Sequence, residues 1–123
     1  MRVVNITRDT LLADKAELAD AFLKRLIGLL NRKALKKGEA LILEPANCIH
    51  SLFMRFTFDA LFLNKSGRVV GIQPSMKPFR ISPVYFTACL VIELPEHTLK
   101  LTHTQPGDTI EMLSTSIGKA PLL

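Results

Sequence analysis

Cys48 and His50 are the residues whose types and spacing first suggest chemistry. A cysteine thiol beside a histidine base can act as a nucleophile. The two lie two positions apart, so on a β-strand they would share one face with Leu52 and Met54. Positions on the same strand hold side chains apart, and no third residue that would orient the histidine is evident. We therefore predict a buried cysteine and a hydrogen-bonded histidine, and we name no catalytic residue.

Arg55 and Asp59 lie in the same region at odd-numbered positions, so on a strand they would be on the face opposite Cys48 and His50. They suggest a second kind of polar chemistry. The planar guanidinium of arginine can bind a carboxylate or a phosphate through paired hydrogen bonds. Two interpretations follow: a structural ion pair between Arg55 and Asp59, or a pocket mouth that they share with His50 and Glu93. We favour the structural ion pair.

Glu93 is a carboxylate within an apolar run, Val91-Ile-Glu-Leu94. A carboxylate in such a strand is expected to be paired or to lie at an exposed edge. Arg25 is the partner that we predict for it. The candidate binding residues are therefore Cys48, His50, Arg55, Asp59, Glu93 and Arg25.

Metal and cofactor binding are not indicated by the sequence. The potential ligands lack the paired spacings of a zinc site, such as Cys-x-x-Cys or His-x-x-x-His. No glycine-rich phosphate loop or Ser-His-Asp order is present. We expect no metal and no cofactor. The potential ligands considered are Cys48, His50, Cys89, His97 and His103.

The formal net charge of +5 is concentrated in one segment, since six of the 16 basic residues lie between Lys24 and Lys37. Such a cluster could attract nucleic acid or anionic lipid. Cations also suit the solvated C-terminal end of a helix. We favour the helix end, because no aromatic residues that would stack on bases interleave with these charges.

The elements that must position these residues are a helix followed by strands. Asp14-Lys-Ala-Glu17 resembles a capping box, and apolar residues follow at helical spacing, which predicts a helix over 14–26. Prolines predict an irregular loop over 74–83, and Asn64-Lys-Ser-Gly67 predicts a hairpin turn. This order predicts a single α+β domain over 1–123: a curled or barrel-like, mostly antiparallel sheet with one main N-terminal helix packed on it. Strands are predicted at 3–6, 40–43, 57–63, 69–72, 89–94 and 109–113.

Five segments, taken in order, resemble a known family. The set is similar to the bacterial and archaeal family called domain of unknown function 192, from about Leu12 to Met112. The resemblance implies a compact β-rich fold with one main helix, and it implies no reaction because that family is uncharacterised. The segments are Arg25-Leu-Ile-Gly-Leu-Leu-Asn-Arg32, Ala40-Leu-Ile-Leu-Glu-Pro45, the stretch from Cys48 to Leu63, Val91-Ile-Glu-Leu-Pro95 and Pro106-Gly-Asp108.

The Phe-rich strand region, the scattered polar residues and the lack of a catalytic signature favour a small soluble accessory module. Such a module would bind a small molecule or a protein segment. Two alternatives stay open: an enzyme with a site around His50, Arg55 and Asp59, and attachment to nucleic acid or lipid through the Lys24–Lys37 cluster. No signal peptide or membrane span is predicted, and two cysteines suit reduced thiols, so we expect a cytoplasmic protein.

Overall fold

The computed structural model describes residues 1–19, 34–52 and 54–114. Within these ranges the chain forms eight strands and one short helix. The elements are β1 (Arg2–Asn5), β2 (Thr10–Ala13), β3 (Lys15–Ala19), β4 (Glu39–Leu43), β5 (Phe58–Leu63), β6 (Val69–Met76), β7 (Leu90–Pro95), α1 (Thr98–Leu101) and β8 (Ile110–Leu113).

The strands form two sheets. An antiparallel sheet of three strands has the order β2-β1-β8, and a sheet of five strands has the order β3-β4-β7-β5-β6. In the larger sheet β3 and β4 are parallel, whereas the other neighbours are antiparallel. The interior strand β5 is buried along its whole length, in keeping with the apolar residues at both of its parities.

Each face of the five-stranded sheet carries its own hydrophobic cluster. Leu61 and Ile92 belong to a cluster that also contains Val3 of the small sheet and Leu99 of α1. Phe62, Val91 and their neighbours on the other face pack with Ile49 and Met54, which precede β5 in the chain. The first cluster joins the two sheets, and the second lies beneath the segments that carry Cys48 and His50.

The predicted fold class is wrong. Within the described residues strands dominate, α1 has four residues, and neither sheet closes into a barrel. Residues 15–19, predicted to begin the main helix, instead form β3, and residues 20–26 lie outside the described ranges. The N–H groups of Asp14 and Lys15 both donate to the Gly38 carbonyl, at 3.1 and 2.8 Å. Pairing with β4 therefore satisfies a backbone that the local sequence pattern assigned to a helix.

The hairpin turn is confirmed. Gly67 has φ of +81°, and its N–H donates to the Asn64 carbonyl at 3.0 Å. The Asn64 side-chain oxygen accepts from the Ser66 and Arg68 amides, each at 3.0 Å. The predicted loop over 74–83 begins too early, because β6 continues through Pro74 to Met76. Proline is tolerated there because β6 is an edge strand and its register with β5 is irregular at this point.

Candidate functional site

The segments 47–52 and 79–85 run antiparallel to each other beside the second hydrophobic cluster. His50 and Ile81 form an isolated β-bridge. The Ser82 N–H donates to the Ile49 carbonyl at 2.8 Å, and the Tyr85 N–H donates to the Asn47 carbonyl at 2.9 Å. Residues separated by about 30 positions in the chain thus form one irregular two-stranded surface element.

Ser51 is the residue that fixes this element most extensively. Its N–H donates to the Arg80 carbonyl at 2.8 Å, and its carbonyl accepts from the Phe79 N–H at 2.9 Å. Its hydroxyl accepts from the Arg80 N–H at 2.9 Å and donates to the Lys77 carbonyl. Ser51 is fully buried, so these bonds are shielded from water and hold the turn around Phe79 in one conformation. No sequence signal singled out this serine.

Side chains alternate between buried and exposed along the segment 48–52. Ile49 and Ser51 are buried, whereas Cys48, His50 and Leu52 are exposed. The prediction that Cys48 and His50 share a face with Leu52 is consistent with this alternation. Met54, which was predicted on the same face, is instead buried in the second hydrophobic cluster. The prediction of a buried Cys48 is wrong, because the bonds to 79–85 turn the other parity inward. His50 is hydrogen-bonded as predicted, since its Nδ1 accepts from the Leu52 N–H at 3.3 Å.

Large apolar side chains are exposed on these same two segments and on Phe86, the residue that follows the second segment. Phe86 is 88% exposed, Ile81 73% and Phe79 61%. Exposed hydrophobic patches on soluble proteins commonly mark sites of protein or membrane interaction. We call these side chains the apolar patch, and its members are Leu52, Phe79, Ile81, Val84 and Phe86.

The stretch of chain that contains the apolar patch exposes positive charge. From Pro45 to Ile92 the sequence contains one acidic residue, Asp59, and that carboxylate is fully buried. Every basic residue of the same stretch is exposed. This part of the molecule therefore offers cations and apolar side chains to solvent, with no exposed carboxylate from the same stretch. The cations are Arg55, Lys65, Arg68, Lys77 and Arg80.

Tyr85 anchors the second segment on the sheet. Its ring centroid lies 4.3 Å from that of Phe62, and its hydroxyl accepts a hydrogen bond from the Gln73 side-chain amide at 2.7 Å. Gly71 makes this placement possible, because a Cβ there would lie 2.1 Å from Cε1 of Tyr85. Anchored inward at Tyr85, the chain exposes Phe86, the next residue.

Asp59 does not take part in this surface. Its Oδ1 accepts from the Ser75 N–H and its Oδ2 from the Leu99 N–H, each at 2.9 Å. Arg55 is exposed and forms no ion pair with it. The favoured interpretation of an Arg55–Asp59 ion pair is therefore wrong. The Asp59 carboxylate instead joins β5 to the end of β6 and to α1.

Asp59 and Glu93 face opposite sides of the five-stranded sheet. Asp59 is paired with Leu94, a member of the first hydrophobic cluster, and Ala60 is paired with Glu93. Paired residues of antiparallel strands point to the same face and consecutive residues to opposite faces. The buried Glu93 therefore lies on the face of Ala60, which belongs to the second hydrophobic cluster. One pocket mouth containing both carboxylates is incompatible with this register.

Several predicted features fall on residues that the structure does not describe. Arg25, the predicted partner of Glu93, lies outside the described ranges, as do the first four basic residues of the Lys24–Lys37 cluster. The last two, Lys36 and Lys37, are exposed. In the described part of the chain, no three His, Cys, Asp or Glu side chains gather as metal ligands would. The helix in that part is too short to cross a membrane.

A cluster of polar side chains around Asp108 connects β1 to the segment before β8. Asn5, which is fully buried, donates through Nδ2 to Thr104 Oγ1 at 3.1 Å and to Asp108 Oδ2 at 3.0 Å. Arg8 Nε and the Gln105 N–H also donate to Asp108 Oδ2, each at 3.1 Å. Burial by itself raises the pKa of Asp108, but these hydrogen bonds and the charge of Arg8 outweigh it and hold the pKa below its ordinary value. Every polar group here has a structural partner.

Comparison with known proteins places this chain in a family. The family model DUF192, described as "Uncharacterized ACR", matches residues 3–112. The chain is 28% identical over 114 residues to a UPF0127 protein of Pyrococcus furiosus, covering 89% of this chain and 96% of that one. It is 30% identical over 118 residues to a UPF0127 protein of Pyrococcus abyssi, covering 91% and 97%.

Two solved structures have the same fold. A Novosphingobium aromaticivorans protein of unknown function superimposes with a TM-score of 0.75 at 21% identity, covering 90% of this chain and 82% of that chain. A Sinorhizobium meliloti protein, described as a proposed transcription regulator, superimposes with a TM-score of 0.74 at 22% identity, covering 89% of each. At these identities the likeness concerns the fold alone.

Proposed function

Because the chain belongs to the DUF192 family, which has no described activity, we propose from its surface that it is a non-enzymatic binding module. Its binding surface is the apolar patch with the surrounding cations. Its partner presents apolar groups and negative charge together. The module acts as one domain over 1–123 in the cytoplasm, which suits the free thiols of Cys48 and Cys89.

The observation that carries this proposal is the combination of exposure with a fixed backbone. Phe79 and Ile81 extend into solvent from a turn that buried hydrogen bonds of Ser51 hold in place. A surface that is ordered before binding loses less conformational entropy when the partner arrives. Large apolar side chains held at the surface in this way contribute little to the stability of the core, and binding is a function that accounts for them.

The positions of the predicted site residues weigh against the enzyme alternative. Both carboxylate oxygens of Asp59 accept backbone hydrogen bonds in the interior, away from His50 and Arg55 at the surface. A general base must come within hydrogen-bonding reach of the proton that it removes. Asp59 cannot reach a substrate at the surface without breaking these bonds, so His50 and Arg55 are better suited to partner contacts.

A fluorescent anion with an apolar ring system, 1-anilinonaphthalene-8-sulfonate, tests the binding surface without knowledge of the natural partner. We expect the native protein to bind the dye, and Phe79→Ser/Ile81→Ser/Phe86→Ser to weaken binding about tenfold or more. The matched control is Ile6→Ser/Leu11→Ser/Leu101→Ser, which removes exposed apolar side chains outside the patch. Urea denaturation of all three proteins confirms that they are folded.

The control decides the outcome. Retained dye binding in the control and lost binding in the patch variant support the proposed surface. Equal losses in both variants, or no dye binding by the folded native protein, would contradict it.

A further inference from the structure

The most exposed side chains of the apolar patch project outward. Phe86, Ile81 and Phe79 each expose well over half of their surface, which a residue lining a groove would not do. A protein partner would need preformed pockets of matching shape to bury such side chains. The interfacial region of a lipid bilayer is fluid, and it accepts projecting apolar side chains without a matching pocket.

The chemistry of the patch also favours a lipid surface. Its members are phenylalanine, isoleucine, valine and leucine, which carry no hydrogen-bonding side-chain groups. Protein interfaces derive much of their affinity from tryptophan, tyrosine and arginine, yet the nearby Tyr85 points inward and hydrogen-bonds to Gln73. Single-stranded nucleic acid binds by stacking bases on aromatic rings, and the aliphatic Ile81 and Val84 offer no such ring.

The charges select the kind of lipid. Lys77 and Arg80 belong to the same loop as Phe79, and Arg55 follows Leu52 by three residues. All three cations are exposed, and Pro45–Ile92 contains no exposed acidic residue. Each lysine or arginine near an anionic membrane strengthens binding by roughly fivefold. A surface of this composition distinguishes an anionic bilayer from a neutral one.

We infer that the partner of the apolar patch is the anionic surface of a lipid bilayer, an inference that rests on the proposed function. Phe79, Ile81 and Phe86 enter the boundary between headgroups and acyl chains, while Lys77 and Arg80 contact lipid phosphates. Because the hydrogen bonds of Ser51 already fix the turn, binding requires no folding step. The attachment is peripheral and reversible, and salt weakens it.

Vesicle sedimentation tests the inference with purified protein. We expect the native chain to sediment with vesicles of phosphatidylcholine and phosphatidylglycerol, and far less with phosphatidylcholine alone. The variant Phe79→Ser/Ile81→Ser/Phe86→Ser should bind at least about tenfold more weakly. Arg55→Gln/Lys77→Gln/Arg80→Gln should lose up to about a hundredfold on anionic vesicles. Ile6→Ser/Leu11→Ser/Leu101→Ser is the control and should bind like the native chain.

A single tryptophan reports which residues enter the bilayer, since the native sequence has none. With Phe86→Trp we expect a blue shift of fluorescence on anionic vesicles and quenching by lipids brominated on their acyl chains. Leu101→Trp, at an exposed site outside the patch, should show neither effect. Sedimentation without a blue shift for Phe86→Trp would overturn the inference, because attachment would then occur elsewhere.

The dye and the vesicles together distinguish failure of the proposed binding surface from failure of the lipid inference. Dye binding at the patch without binding to anionic vesicles overturns the lipid inference and leaves the proposed binding surface in place. If an acidic amphipathic peptide or single-stranded oligothymidylate then binds at the patch, the partner is a protein or a nucleic acid. Failure of both dye and vesicles overturns both proposals.

Discussion

Replacing Asp59 tests whether this carboxylate holds the fold together or serves a site. In the native structure its two oxygens accept from the Ser75 and Leu99 N–H groups, each at 2.9 Å. Asparagine has nearly the same shape but only one accepting oxygen. In Asp59→Asn one of the two amide N–H groups therefore faces another donor, and in Asp59→Ala both lose their acceptor.

The expected magnitude follows from these two bonds. A hydrogen bond to a charged group contributes about 1.5–3 kcal/mol, and a buried donor left without an acceptor costs about 1–3 kcal/mol. We expect Asp59→Asn to lower the free energy of unfolding by about 2–3 kcal/mol, and Asp59→Ala by about 3–6 kcal/mol. A domain is typically stable by about 5–15 kcal/mol, so the alanine variant is expected to be partly unfolded at higher temperature.

Urea denaturation measures these differences, with Glu111→Gln as the control because Glu111 is exposed on β8. The control should stay within about 0.5 kcal/mol of the native protein. A value for Asp59→Asn equally close to the native protein would refute the reasoning. Folded Asp59→Asn should also bind dye and vesicles normally, because Asp59 faces away from the cluster beneath the apolar patch. Lost binding would instead support the interpretation in which Asp59 belongs to a binding pocket.

Three further changes probe the surface element formed by 47–52 and 79–85 and the polar cluster around Asp108. Gly71→Ala forces the Tyr85 ring to move and should cost about 1–3 kcal/mol in urea denaturation; an unchanged midpoint would contradict this. Asp108→Asn removes a carboxylate whose pKa is lowered on folding, so its stabilisation is present above the unfolded pKa and lost as pH falls through the folded pKa. The stability gap to the native protein should therefore shrink below about pH 4, and a gap that is constant with pH would disprove the assignment. Ser51→Ala should speed hydrogen exchange at the Arg80 amide and weaken dye binding with every patch side chain intact; unchanged exchange would show that the hydroxyl does not fix the turn.

The sequence pattern within a single segment was enough to predict β5 and the hairpin turn. β5 carries apolar residues at both parities, and the Asn64–Gly67 turn supplies its own hydrogen bonds and a glycine with positive φ. β3 was mispredicted because Asp14 and Glu17 form a plausible capping box. Its strand conformation depends on β4, which starts 20 residues after β3 ends. A pattern confined to one segment contains no information about such a partner.

The candidate site was predictable in part for the same reason. The shared face of Cys48 and His50 follows from strand geometry, but which face is buried depends on residues 79–85. The partners of Asp59 are backbone amides, which every residue type except proline possesses, so no sequence motif marks them. The apolar patch was missed because Phe79 and Ile81 lie in the proline-rich segment 74–83, which predicted only an irregular loop, and because no element was predicted around Phe86.

The small sheet sets the order in which the chain can complete its structure during synthesis. β1 is the middle strand, with β2 on one side and β8 on the other, and Arg2 pairs with Leu113. A ribosome delivers β1 first and β8 more than 100 residues later, so β1 must wait for one neighbour until translation is nearly over. The buried Asn5 waits for Asp108 in the same way. Contacts this distant along the chain slow folding, so a nascent chain that stops before β8 should remain a substrate for chaperones or proteases.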